Sequence, residues 1–208
     1  MGQKVNPFIF RVILNRNWNS VWFSKNKFFS KNLIEDINIR KIISNYLYKF
    51  IYGKIIIQKS SRLINIIIYV ENKNFLFSSF NIIKLKNNLF NLTKKNIYIN
   101  FFNIEKPSFD LNLIFNKLKE KILFRKSYKV LINNIFYDFF ISGGIGMKIL
   151  IKGRINGSVM SKKQLFKQGK LPLQRISSDI RYFSGFVKTI YGIIGIKLWC
   201  YIGDLIYI

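Results

Sequence analysis

The sequence contains no histidine and a single cysteine, Cys200. Without histidine the commonest general base and metal ligand is missing. A lone thiol supplies neither an internal disulfide nor a zinc cluster; on the apolar side of an alternating stretch it reads as a small core residue in a reducing setting. Carboxylates are scarce as well, with nine Asp and Glu scattered along 208 residues. A nuclease using Asp179 with Glu71 or Asp138 and a metal is the one enzymatic alternative left, and a binding protein without cofactor or metal is the preferred reading. The glycines of Gly143–Gly146 (GGIG) precede a strand pattern, whereas a phosphate-binding P-loop precedes a helix and needs a following Lys and Ser or Thr. Long apolar runs are missing too: Ile64–Val70 contains Asn65 and falls well short of the ~18 residues a membrane span needs. Arg11 and Asn15 interrupt the apolar residues near the start, so neither a secretory signal nor a cleavable transit peptide is expected. Alanine is absent altogether. Together with the crowding of Asn, Lys, Ile, Phe and Tyr, that is the mark of codon drift in an A+T-rich genome.

What is present is positive charge. Thirty-five Lys and Arg give a formal net charge of +26, a self-repelling field that a polyanion relieves. Drift accounts for part of the lysine, but not for the scarcity of acids or for arginines such as Arg125, Arg154, Arg175 and Arg181 beside glycines and polar turns. A nucleic acid is the natural partner. Half of the residues are hydrophobic, so the chain folds, as one large or two small domains.

The most informative stretch is Met147–Gly157. Met147, Ile149 and Ile151 alternate with Lys148, Leu150 and Lys152, the period-two signature of a strand with one buried and one basic face. Gly153 ends it, and Arg154 and Asn156 fall in the following turn, where glycines allow close approach. Its expected sheet partner is Tyr191–Asp204, in which Ile196, Leu198, Cys200 and Ile202 point one way while Lys197, Trp199 and Tyr201 point the other. Cations and aromatics on one face suit phosphate and base contacts.

Taken in order, Met1–Pro7 reads as a polar, basic arm, and Trp18 and Trp22 are expected to pack rather than stack on bases. An amphipathic helix is expected from Lys31 to Tyr48, and a hairpin from Lys54–Lys59 and Leu63–Val70 turning at Ser60–Arg62. A short helix capped by Ser78 or Ser79 runs through Ile83 and Phe90, and a strand covers Ile97–Phe102. Pro107, within Glu105–Asp110, marks a domain boundary. Leu111–Phe140 shows an apolar helical stripe, with Arg125, Lys126 and Lys129 within about a quarter-turn arc at ~100° per residue. By spacing alone that arc is equally an ordinary solvated surface. Gly169–Leu173 reads as a turn into an edge strand held off the sheet centre by Pro172, and Asp179 as a residue orienting a neighbouring arginine.

Several blocks resemble one family, the universal small-subunit ribosomal protein three of bacterial and organellar type: MGQKVNP followed by FRVILNRNWNSVWF, then LFRKSYK at Leu123–Lys129, KILIKGRINGSVMS at Lys148–Ser161, GKLPLQRISSDIRY at Gly169–Tyr182, and TIYGIIGIKLWCYIGD at Thr189–Asp204. The resemblance spans nearly the whole chain. It implies an α+β protein: an arm over 1–30, a KH type II-like domain over 31–106, and a C-terminal domain over 107–208 with two helices packed on a mainly antiparallel sheet. It further implies binding to ribosomal RNA in the head of the small subunit and to messenger RNA at the channel by which it enters. On that basis Gln3, Lys4, Asn6, Arg11, Lys148, Lys152, Arg154, Asn156, Lys197 and Trp199 are expected to meet ribosomal RNA, and Arg125, Lys126 and Lys129 the message. Neighbouring ribosomal proteins are expected partners, and a membrane or a second copy of the chain is not. Where the family has a backbone-clamping GxxG loop, Tyr69–Phe80 has no glycine, and Ile9 and Ile13 also replace family glycines. A free-standing single-stranded RNA-binding protein with a degenerate KH domain is the alternative. The composition suits an organelle, mitochondrion or plastid, or the cytoplasm of a bacterium with a reduced genome.

Overall fold

Isoleucine-rich strands build the first half. A computed structural model describes residues 5–12, 18–47, 52–71 and 82–205, and the chain divides into two compact units, Trp18–Glu105 and Met1–Asn17 with Lys106–Ile208. The short helix α1 (Pro7–Arg11) belongs to the second unit. The first holds β1 (Ser20–Val21), α2 (Asn26–Tyr46), β2 (Tyr52–Lys59), β3 (Leu63–Val70), α3 (Ile82–Thr93) and β4 (Asn96–Asn103).

In β3, Ile64, Ile66, Ile68 and Val70 point inward and are buried with Ile39 and Ile43 of α2, Leu47 just after it, and Leu85 and Leu89 of α3. β-Branched side chains suit a pleated surface, and each fully buried one contributes roughly 1.5–3 kcal/mol. The expected hairpin of β2 and β3 forms, closed by the Ser60 amide donating to the Leu63 carbonyl at 2.8 Å. β4 lies parallel to β3, and β1 parallel to β2; α3 is the crossover that a parallel partner requires. Helix α2 begins at Asn26, five residues before the expected Lys31, so Asn26–Ser30 are helical rather than part of an arm. Ser78 and Ser79 lie outside the described residues, as does most of the interval where a GxxG loop would fall.

The second unit adds α4 (Leu111–Leu123), α5 (Tyr128–Ile141), β5 (Gly146–Gly153), β6 (Lys162–Gly169), β7 (Ser178–Thr189) and β8 (Gly192–Asp204). Asp110 caps α4, its Oδ1 accepting from the Asn112 amide at 2.9 Å. The sheet is antiparallel throughout, in the order β6-β5-β8-β7. Its inner face carries Met147, Ile149, Ile151, Ile196, Leu198 and Cys200, at most 1% exposed, against Leu118, Ile132 and Phe139 of the two helices. Gly185 is required where α4 meets β7: a Cβ there would come within 2.6 Å of the Phe115 ring.

The stripe over Leu111–Phe140 is carried by two helices, broken where the chain leaves helical geometry at Phe124 and resumes at Tyr128. Two expectations are corrected. Gly169–Leu173 leads into a loop rather than an edge strand; the edge is β6, whose only large apolar groups, Leu165 and Phe166, lie on opposite faces and leave little periodicity to read. Tyr201 is buried, its hydroxyl donating to Asp204 Oδ1 at 3.0 Å, and so lies outside the ligand-facing set.

Candidate nucleic-acid interface

The outer face of the second sheet is assembled by strand register. Three cross-strand rows run across it: Lys167, Lys148, Trp199, Tyr182; then Leu165, Leu150, Lys197, Ser184; then Lys163, Lys152, Gly195, Phe186. Five of these residues are lysines and none is acidic. Lys167 faces Lys148 and Lys163 faces Lys152 directly, pairs that destabilise an isolated sheet and that phosphates between them would stabilise. Lys148 Nζ lies 4.9 Å from the Trp199 ring centroid, and the Trp199 and Tyr182 rings are 5.4 Å apart. Trp199 is half-buried on this ladder.

Arg125, Lys126 and Lys129 are exposed, but they do not share one helical face. Arg125 and Lys126 occupy the connection after α4. The Arg125 amide donates to the Ile122 carbonyl at 3.1 Å and the Lys126 amide to the Lys121 carbonyl at 3.0 Å, the two bonds of a Schellman cap. Arg125 takes the left-handed position of that cap, φ 54°, where glycine is the usual residue and a side chain costs about 1 kcal/mol.

Between this cap, the turn after β5 and the β7–β8 hairpin lies a cleft of about 350 Å³. Arg125, Lys126, Arg154 and Lys188 reach it, as do Asn156 and Tyr191. Arg154 is pinned by donating through Nε to the Ser158 carbonyl at 2.8 Å and through Nη1 to the Tyr191 carbonyl at 3.4 Å. Asn156 is left-handed at φ 55°.

Of the residues expected to meet ribosomal RNA, Lys148, Lys152, Lys197 and Trp199 share the sheet face, while Arg154 and Asn156 line the cleft with two of the three message-binding candidates. Arg11 is a correction. It is fully buried, donating to the carbonyls of Ser178 at 2.8 Å, Pro7 at 3.2 Å, Leu173 at 3.0 Å and Arg175 at 2.6 Å. Its charge joins α1 to the loop before β7 and is not available to phosphate. Asn6 caps α1, its Oδ1 accepting from the Phe8 amide at 2.9 Å, and Gln3 and Lys4 lie outside the described residues. Asp204 pairs with Arg175 at 2.8 Å, and Arg181 donates to the Phe109 carbonyl at 3.1 Å. Sequence reasoning missed Lys163, Lys167, Tyr182, Lys188 and Tyr191; the alternation of Lys163, Leu165 and Lys167 with Gln164, Phe166 and Gln168 was the available signal for β6. Among the described residues no three His, Cys, Asp or Glu side chains group as a metal site, and no helix is long and apolar enough to cross a membrane.

Residues 114–200 match the family Ribosomal protein S3, C-terminal domain. The small ribosomal subunit protein uS3 of Pelagibacter ubique is 32% identical over 207 residues, covering 99% of this chain and 92% of that protein. The uS3 proteins of Nitrosomonas eutropha and Buchnera aphidicola are 33% and 32% identical, over 98% and 99% of this chain and 96% and 88% of their own lengths.

Proposed function

We propose, from the premise that this chain belongs to the small ribosomal subunit protein uS3 family, that it binds ribosomal RNA in the head of the subunit and touches messenger RNA where it enters. The chain is a structural, non-enzymatic constituent of the small ribosomal subunit, with ribosomal RNA and other ribosomal proteins as its partners. In the finer reading, Lys148, Lys152, Lys197 and Trp199 hold ribosomal RNA, with Lys163 and Lys167 extending the same face. Arg125, Lys126 and Lys129 grip incoming message and help open its secondary structure. The observation that carries this reading is the set of cross-strand rows with five lysines and no carboxylate.

The mechanism is displacement of counterions from phosphate, with aromatics giving sequence-tolerant stacking. If roughly 6–10 phosphates are engaged, affinity for isolated RNA falls by about 10³–10⁵ between about 50 and 200 mM salt. The helix, hairpin, helix and parallel-strand order of the first unit supports a KH type II-like domain without its glycine loop, and the alanine-free composition supports an organellar or reduced-genome host.

Replacing Arg125, Lys126 and Lys129 together with Ala tests the message reading. Passage through a hairpin-containing message is expected to slow while incorporation into subunits stays near normal. Unchanged translation of that message would remove the reading.

A further inference from the structure

The geometry points to the cleft around Tyr191 as a pocket for one unpaired nucleotide, its base against the Tyr191 ring and its phosphate among Arg125, Lys126, Arg154 and Lys188. The inference deepens the message-binding reading and rests on it through Arg125 and Lys126. Nothing in the sequence placed Tyr191 or Lys188 at a site; the fold brings both to the cap after α4.

The pocket has two kinds of wall. One is cationic, with four Lys and Arg side chains and, among the described residues, no acidic one. The other is apolar, with Ile122, Ile155 and Ile194 beside the ring. A bare anion would use the first wall only, and an apolar molecule the second. A nucleotide joins a flat base to a phosphate, and about 350 Å³ lies in the range of small-ligand pockets. Because a paired base hides both faces in a helical stack, the pocket requires an unpaired one.

The ring itself is held in place. Tyr191 is 42% exposed, with the Arg125 and Arg154 guanidinium carbons 5.6 and 5.8 Å from its centroid. Gly157 lies beneath it at φ 75°, where a Cβ would come within 3.1 Å of the ring. A glycine that clears space for an aromatic, and two arginines that steady it, form a stacking platform beside a phosphate site.

The test uses the full-length chain and a short unstructured RNA oligonucleotide, read by fluorescence anisotropy. Tyr191→Ala is expected to weaken binding about 10-fold and Tyr191→Phe to restore it, as loss and retention of one base stack predict. AMP and ribose 5-phosphate then compete for the labelled oligonucleotide; they carry the same phosphate, and AMP is expected to compete at least about 5-fold better. Equal competition by the two, or a Tyr191→Ala variant that binds like the parent, overturns the nucleotide pocket. Competition by AMP assigns the pocket to any nucleotide. If neither small molecule competes, an oligonucleotide with one abasic position decides: binding unchanged by that position overturns the pocket, and weakened binding assigns it to a nucleotide within a chain. These results are read apart from the hairpin-translation assay, so failure of the pocket is distinguishable from failure of the message reading on which it rests.

Discussion

The two sheets of this protein each have four strands but place their charge differently. In the first unit, cations are drawn to carboxylates: Lys59 and Lys95 lie 3.6 and 3.5 Å from Glu35, and Arg40 lies 3.5 Å from Asp36. The outer face of its sheet bears an amide ladder, in which Asn100 Nδ2 donates to Asn65 and Asn65 Nδ2 to Gln58, at 3.2 and 3.1 Å. In the second unit the sheet face gathers lysines opposite lysines. Internal pairing marks a scaffold, and charge left facing outward marks the surface on which a polyanion is expected.

Arg11 breaks this division most sharply, since it is a fully buried cation in the unit whose sheet lysines face outward. Arg11→Met should cost roughly 3 kcal/mol, because several buried carbonyls lose a charged donor at once; urea unfolding measures it. A loss below ~0.5 kcal/mol, the surface range, would return Arg11 to the RNA-binding set. Lys148→Ala with Lys152→Ala and Lys197→Ala should reverse that pattern. Stability should hardly change, while RNA affinity falls by at least about tenfold and its logarithmic salt slope flattens by about 2–3. The same number of lysines changed in the first unit should move the slope less; equal effects would erase the contrast.

A subtler test separates backbone from charge at the cap after α4. Arg125→Gly relieves the left-handed strain and should raise stability by up to about 1 kcal/mol, while weakening RNA binding as much as Arg125→Ala does. Retained binding would assign the strain no function. The smallest expected effect concerns Lys59. Burial pushes its ammonium below the ordinary lysine value of 10.5, although Glu35 and Asp36 oppose the shift. The unfolded chain therefore holds more protons just below that value, and stability rises with pH through the window. Lys59→Met should remove that rise from urea midpoints measured at increasing pH; an identical slope in both proteins would show that the carboxylates fully offset burial.

The core strands were legible in the sequence: burial of one face imposes a period of two on Met147–Gly153 and most of Gly192–Asp204, and Leu63–Val70 is a short isoleucine-rich run between turn residues. The facing of Lys148, Lys152, Lys197 and Trp199 followed from the same rule. β6 left only a faint signal, since an edge strand with a partly exposed inner face needs few apolar residues and its alternation is mostly between Lys and Gln. The place of the break between α4 and α5 was hidden, because the apolar stripe continues across it and the glycine-like φ of Arg125 marks the turn.

The amino-acid order alone determined the excess of charge and which side of each alternating strand faces the core, because these depend on composition and on neighbours two residues apart. Only the tertiary structure decided that Arg11 is enclosed by carbonyls, that Lys163 and Lys167 join the basic face, and that Arg125, Arg154, Lys188 and Tyr191 meet at one cleft. Those outcomes depend on contacts between residues far apart along the chain, which packing brings together and no local periodicity records.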